Sequence, residues 1–101
     1  MDWTAINLYK GTWISGIYKV LTYNGEQFHA YYICDHYKNW GDNPSKPPLR
    51  DRDTTNGYWP SLESAQTTCE VHAQTYTPKP TTVKRAAELL SEMVEKHGEA
   101  A

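Results

Sequence analysis

The sequence lacks long apolar runs, an excess of charge of either sign, and the many cysteines of a disulfide-stabilised domain. Its 101 residues include two cysteines, ten basic and twelve acidic side chains, for a formal charge of −2. This balance disfavours a histone-like DNA-binding protein and a cationic membrane peptide. Because the apolar runs are short, no transmembrane helix is predicted. The start, residues 1–4, lacks the features of a signal peptide, so we expect a cytoplasmic protein with reduced cysteines.

Leucine, isoleucine, valine and phenylalanine are also scarce, at 15 of the 101 residues. Such a low content is a mark of disordered chains, but those also have high net charge and few aromatic residues. Here four tryptophans and eight tyrosines supply large rings instead. We therefore expect a small folded domain whose rings fill the core and leave a surplus for the surface.

The strongest local signal is Asn24-Gly25, which lies between two β-rich runs at residues 17–23 and 26–34. Asn-Gly favours a type I′ turn and predicts a hairpin with a two-residue loop, in which Leu21 faces Phe28. One face of this hairpin is then the better core, formed by Ile17, Leu21, Tyr23, Phe28, Ala30, Tyr32 and Cys34. The other face is also apolar and requires a second layer or a partner. Residues 3–9 predict an edge strand before the hairpin.

A long loop and a first helix are predicted after the hairpin. In the loop, at about residues 39–57, Pro44, Pro47 and Pro48 disfavour both strand and helix. The helix opens at Ser61, since serine is a preferred N-cap residue. Its apolar stripe consists of Leu62, Ala65, Cys69, Ala73 and Tyr76.

A second helix is predicted at residues 81–98, behind a proline linker at residues 77–80. Gly98 suits the C-terminal cap. The apolar stripe of this helix consists of Val83, Ala86, Ala87, Leu90, Met93 and Val94. A helix of this length is marginal in water by itself, so it docks either on its own chain or on a second copy. In the second case Val83, Leu90, Met93 and Val94 form a homodimer contact.

These elements predict an α+β fold, in which a small antiparallel sheet built on the hairpin is packed by one helix and followed by a C-terminal helix. Residues 1–76 then form a hairpin-plus-helix domain, the linker covers residues 77–80, and the last helix follows.

Two cysteines and two histidines have a spacing that allows a metal site. Cys34-x-His36 ends the second hairpin strand, and Cys69-x-x-His72 shares one face of the first helix. Together they match the four ligands of a Cys₂His₂ zinc site. The alternative, which we favour, is that both cysteines are small core residues, in which case no cofactor is bound. Cysteines in a core are also poor nucleophiles, so a non-enzymatic function is expected.

The layout resembles that of small accessory proteins encoded by bacteriophages and prophages. The resemblance depends on Trp3 in the segment before the hairpin, on the short hairpin itself, and on the helix S-L-E-S-A-Q-T-T-C-E-V-H-A at residues 61–73. It covers about residues 1–76, without the loop at 42–56. It implies a protein of the host cytoplasm that binds a host enzyme or defence complex, and it supplies no catalytic residue.

Protein binding is the function that these features favour, with inhibition of a host nuclease or defence complex by steric occlusion. Tyrosine and tryptophan are enriched at the centres of interfaces. The predicted contact residues are Trp40, Trp59, Tyr18, Tyr31, Arg50, Arg52 and Asp53. The alternative is a single-stranded nucleic-acid-binding module, in which Tyr18 and Tyr31 stack on bases beside Lys19 or Lys38. The lack of surplus positive charge disfavours this alternative.

Overall fold

A four-stranded antiparallel sheet followed by two helices forms the fold of this computed structural model, which describes residues 1–33, 35 and 58–100. The sheet order follows the chain. The strands are β1 (Thr4–Ile6), β2 (Gly11–Ser15), β3 (Tyr18–Thr22) and β4 (Phe28–Tyr32), and the helices are α1 (Leu62–Thr75) and α2 (Pro80–His97). The predicted α+β class is confirmed.

The hairpin turn lies at Asn24-Gly25 as predicted, but the predicted two-residue loop is wrong. The first cross-strand pair joins Thr22 to Phe28, so residues 23–27 form the loop. Asn24 Oδ1 accepts hydrogen bonds from the backbone N–H groups of Glu26 and Gln27, both at 2.9 Å. Because these amides are bonded to the Asn24 side chain, the loop is wider than a two-residue turn.

This wider loop shifts the register by one residue and exchanges the two faces of β3. A one-residue shift moves every side chain of a strand to the other face. Val20 therefore pairs with Ala30, while Leu21 pairs with His29 and Lys19 with Tyr31. The prediction for β4 is confirmed, since Phe28, Ala30 and Tyr32 face the core side. Leu21 is buried as predicted, but on the opposite face of the sheet from Phe28. Tyr23, also predicted on the core face, is 56% exposed.

The region before the hairpin contains two strands where the sequence predicts one. β1 and β2 pair antiparallel, from Thr4 with Ile14 to Ile6 with Thr12. The chain reverses at Tyr9, which has a left-handed backbone with φ 58°. Gly11 opens β2, and the indole ring of Trp13 occupies the space where a Cβ at Gly11 would lie. Glycine is therefore required there for packing.

The main core lies between the sheet and both helices. Small side chains at the contact, Ala30 on β4 and Ala65 and Cys69 on α1, are fully buried and allow close approach of helix and sheet. The buried cluster consists of Ile17, Tyr18, Val20, Ala30, Ile33, Ala65, Cys69, Ala86 and Leu89. Ile6, Ile14 and Leu21, whose side chains point to the other face of the sheet, are also buried.

Helix α1 begins as the sequence predicts. Ser61 is its N-cap, and the Ser61 hydroxyl accepts a hydrogen bond from the backbone N–H of Ser64 at 3.1 Å. In turn, the Ser64 hydroxyl accepts from the backbone N–H of Ser61. Its predicted stripe is confirmed, because Ala65 and Cys69 are buried and Leu62, Ala73 and Tyr76 pack against the core.

Helix α2 docks on its own chain, with a stripe that differs from the predicted one. Thr82, Ala86 and Leu89 are buried, whereas Val83 is 46% exposed. Asp35 explains this rotation, since its carboxylate accepts from the Lys79 backbone N–H at 2.9 Å and from the Thr82 hydroxyl at 2.6 Å. These bonds hold Thr82 inward at the first turn. The other predicted homodimer residues, Leu90, Met93 and Val94, are half-buried, and their role in self-association stays a prediction.

Short backbone segments bond to the two outer strands. Beside β1, the Asn7 N–H donates to Gly98 O and the Ala100 N–H donates to Ala5 O. Beside β4, Phe28 and Trp59 exchange both backbone hydrogen bonds. Segments distant in sequence thus extend the pairing at both edges of the sheet.

Candidate interaction surface

Two large aromatic side chains are exposed together at one end of the sheet. Tyr9, in the β1–β2 connection, is 60% exposed, and Tyr23, in the β3–β4 loop, is 56% exposed. Their ring centroids lie 4.7 Å apart in an edge-to-face arrangement. The two rings form one apolar surface with hydroxyl groups, contributed by two separate turns.

This surface continues along β4. Tyr23 lies 6.0 Å from His29, and His29 stacks against Tyr31 at 6.5 Å between ring centroids. His29 and Tyr31 share a face of the sheet because β-strand side chains alternate. We call Tyr9, Tyr23, His29 and Tyr31 the aromatic row.

Local hydrogen bonds fix the two turns that carry the exposed rings. Beside Tyr9, the Thr12 hydroxyl donates to Leu8 O at 3.0 Å and the Lys10 N–H donates to Thr22 O at 3.2 Å. Beside Tyr23, the Thr22 hydroxyl accepts from the Gly25 N–H at 2.9 Å. Because both turns bond to Thr22, the rings of Tyr9 and Tyr23 are held in fixed relation.

The aromatic row carries little charge. Desolvation by burial lowers the pKa of His29, so this ring is neutral at pH 7. The Lys19 ammonium lies 5.4 Å from the Tyr31 ring centroid, within the range of a cation–π contact. Burial lowers the pKa of Lys19 to about 8, so its proton is held less tightly than that of an ordinary lysine. The exposed end of the row therefore presents the ring faces and hydroxyls of Tyr9 and Tyr23.

A second group of three tyrosines and one histidine lies on the helix side of β3 and β4. The Tyr18 hydroxyl is 2.8 Å from His72 Nδ1, and the His72 ring lies 4.6 Å from Tyr32 and 5.2 Å from Tyr76. We call Tyr18, Tyr32, His72 and Tyr76 the buried tyrosine cluster. Tyr18 is only 4% exposed. This predicted contact residue therefore belongs to the core and not to the surface.

The structure describes half of the predicted zinc site. Cys69 is fully buried, and burial raises its pKa to about 12, so it is a neutral thiol. His72 lies one helical turn further on and faces Tyr18. Cys34 and His36 lie outside the described residues. Within residues 1–33, 35 and 58–100, no three His, Cys, Asp or Glu side chains are grouped to hold a metal ion.

The other predicted contact residues lie in different places. Tyr31 belongs to the aromatic row. Trp59 packs against the core and lines a groove of about 440 Å³ along α1, together with Thr67 and Val71. Trp40, Arg50, Arg52 and Asp53 lie outside the described residues. The structure thus brings one predicted contact residue into the row.

Sequence reasoning missed the exposure of Tyr9 and Tyr23, the two most exposed rings in the part of the chain that the structure describes, although a signal was available. Both occur as a tyrosine two residues before a glycine, Tyr9-Lys10-Gly11 and Tyr23-Asn24-Gly25. Glycine marks turns, and a side chain that enters a turn at the end of a sheet lies beyond the covered part of the strands. This repeated pattern could have indicated exposure of both rings.

Comparison with known proteins identifies no similar protein. The chain matches no known protein family, no curated protein and no solved structure. Among the described residues, neither helix has the length and apolar character required to cross a membrane. The phage-type resemblance therefore stays an expectation.

Proposed function

We propose that this chain is a non-catalytic, phage-type accessory protein that binds a host protein through the aromatic row. The observation that carries the proposal is the joint exposure of Tyr9 and Tyr23, whose touching rings lie outside the core cluster. Tyrosine brings a large, rigid contact area and a hydroxyl at low entropic cost, so such rings are common anchors of interfaces. A partner that binds these rings would be inhibited because this chain would cover part of the partner's own surface.

The backbone at Tyr9 supports this proposal. A left-handed conformation at a residue other than glycine costs about 1 kcal/mol or more, and Tyr9 adopts it with an exposed ring. Residues in such conformations cluster at functional sites, where the strain is compensated by the surrounding structure. We infer that tyrosine is kept at this turn for its ring.

The finer part of the proposal concerns the target. From the phage-type resemblance we propose a host nuclease or defence complex, bound in the host cytoplasm. The neutral, fully buried thiol of Cys69 is unsuited to act as a nucleophile, because cysteine nucleophiles act as exposed thiolates.

The test is capture of partners from bacterial lysate by the full chain, with a tag at the N-terminus and quantitative mass spectrometry. A double variant, Tyr9→Ser with Tyr23→Ser, should lose the captured protein. With that protein purified, we expect binding at least about 30-fold weaker, the typical effect of removing a central aromatic contact.

A matched control keeps this test specific. Val71→Ser with Val83→Ser removes two other exposed apolar side chains, which are 56% and 46% exposed on the helices, and should leave capture unchanged. The proposal fails if the tyrosine variant captures the same protein as the wild type, or if the wild type enriches no protein.

Single-strand nucleic-acid binding is the second candidate, favoured by the continuous line of rings from Tyr23 through His29 to Tyr31. Bases can stack on such rings. A fluorescent oligothymidylate titrated at two salt concentrations separates the candidates. Binding that weakens with salt and is lost in the tyrosine variant supports nucleic acid, whereas no binding leaves the protein partner.

A further inference from the structure

We propose that the outer edge of β1 is a docking site for an extended segment of a partner protein, and that residues 98–100 occupy it as a displaceable internal strand. Partner segments add to a sheet edge through backbone hydrogen bonds, and pockets for alternate side chains give the specificity. The site does not rest on the proposed function, because it lies along a backbone edge and is tested with a peptide alone.

The internal strand shows that this edge accepts an antiparallel segment. It forms an antiparallel bridge centred on Glu99. The Asn7 backbone N–H and the Asn7 side chain donate to Gly98 O and Glu99 O, each at 3.0 Å. On the other side of the bridge, the Ala100 N–H donates to Ala5 O at 2.8 Å. These bonds define the register that a competing segment would adopt.

The internal strand uses only part of the edge. The N–H and C=O groups of one strand residue point to the same side of the strand, so the Ala5 N–H points outward with the C=O that accepts from Ala100. Within the described part of the chain, the Ala5 N–H donates to none of residues 98–100. A segment that continues further along β1 reaches this donor as well and therefore competes with the internal strand.

Gly98 connects the internal strand to helix α2. The helix ends at His97, and Gly98 turns the chain toward β1 with φ 81° and ψ 157°. This combination of angles is essentially restricted to glycine. A residue with a side chain at this position would therefore favour release of the internal strand from the edge.

A cavity beside the internal strand indicates which segment fits best. It has a volume of about 170 Å³ and is lined by Leu8, Trp13 and Ala100, among others. The pairing register places Ala100, Ala5 and Trp13 on one face of the sheet. The methyl group of Ala100 leaves the cavity unfilled, and the remaining space is large enough for several water molecules. We therefore expect the edge to prefer a segment with a large apolar residue, such as leucine, at the position of Ala100.

The test titrates two capped pentapeptides into the full chain and follows the backbone amides by NMR. Gly-Glu-Leu-Thr-Val has leucine at the position of Ala100 and two further residues that continue along β1, and Gly-Glu-Ala-Thr-Val is its matched control. The leucine peptide should shift the amides of Ala5 and Asn7 and release the Ala100 amide from its hydrogen bond. Because the leucine side chain buries three more carbon atoms, it should bind at least about tenfold more tightly than the control.

Two variants of the full chain change the internal strand in opposite directions. Gly98→Ala disfavours it, so the edge is free in a larger fraction of molecules and the leucine peptide should bind about fivefold more tightly. Ala100→Leu gives the internal strand the preferred side chain and should weaken peptide binding about tenfold. Gly16→Ala, which also has a positive φ, of 58°, but lies between β2 and β3, is the matched control and should leave the affinity unchanged.

The proposal is supported if the leucine peptide binds at β1 and the two variants change its affinity in these opposite directions. It is overturned if neither peptide shifts the amides of Ala5 and Asn7 at millimolar concentration, or if both peptides bind equally. It is also overturned if a folded Gly98→Ala binds the leucine peptide no more tightly than the wild type. Where Gly98→Ala does not fold, Ala100→Leu decides, and an unchanged affinity in that variant overturns the proposal.

Discussion

The aromatic row and the buried tyrosine cluster have the same composition, three tyrosines and one histidine, and opposite surroundings. Both draw on β4, where His29 and Tyr31 face one side and Tyr32 the other. In the row Tyr9 and Tyr23 are mostly exposed, whereas in the cluster Tyr18 is almost fully buried and hydrogen-bonded to His72. The comparison teaches that position in the fold, more than residue type, decides which rings are exposed, since Tyr9 and Tyr23 lie in turns at the end of the sheet and Tyr18 lies on a central strand.

The largest expected effect separates the two groups by stability. Tyr18→Ala removes a buried ring and the hydrogen-bond partner of His72, so we expect a loss of about 3–5 kcal/mol in the free energy of unfolding. Tyr23→Ala removes an exposed ring and should change it by no more than about 0.5 kcal/mol. Urea unfolding followed by tryptophan fluorescence measures both. Equal losses would contradict the assignment of one ring to the core and the other to the surface.

An alkaline titration gives an intermediate effect. Desolvation, with smaller contributions from Cys69, Tyr76 and Tyr32, raises the pKa of Tyr18 to about 12. The folded chain therefore holds this proton more tightly than the unfolded chain, whose tyrosines titrate near pH 10. The stability that Tyr18 contributes is present below pH 10 and is lost between about pH 10 and 12.

We expect that loss to be about 1–2 kcal/mol, measured by urea unfolding at pH 9 and 11. Tyr18→Phe has no phenol to titrate and should lose correspondingly less stability over this range. Tyr9→Phe, in the aromatic row, is the matched control and should behave as the wild type. An identical alkaline loss in Tyr18→Phe and the wild type would show that Tyr18 does not hold its proton more tightly in the folded chain.

The smallest effect concerns strain in the row. Tyr9→Gly and Tyr9→Ala both remove the ring, but only glycine adopts φ 58° without cost. We expect the glycine variant to be more stable than the alanine variant by about 1 kcal/mol, as measured by thermal unfolding. Equal stabilities would indicate that the turn relaxes to an ordinary backbone when the ring is removed.

Much of the fold is predictable because its signals are local. Ser61 caps the helix that follows it, and Asn24-Gly25 marks the turn, because each acts through bonds to residues two or three positions away. The stripe of α1 is predictable for the same reason, since helical periodicity depends on the helix alone.

The remaining features depend on specific side-chain contacts, which the spacing of apolar residues in the sequence does not reveal. The Asn24 side chain widens the loop and thereby sets the register of the whole hairpin. Asp35, which is 47 positions before Thr82, determines which side of α2 faces the core. The candidate surface was missed for a related reason, since the exposure of Tyr9 and Tyr23 depends on two turns that meet only in the folded sheet.

The backbone bonds of residues 98–100 to β1 have a practical consequence. An open strand edge can template the stacking of further chains into fibrils. A chain shortened after His97 would uncover the amide of Asn7 and the carbonyl of Ala5, and should be more prone to aggregate during concentration. Purification handles and fluorophores are therefore better attached at the other terminus.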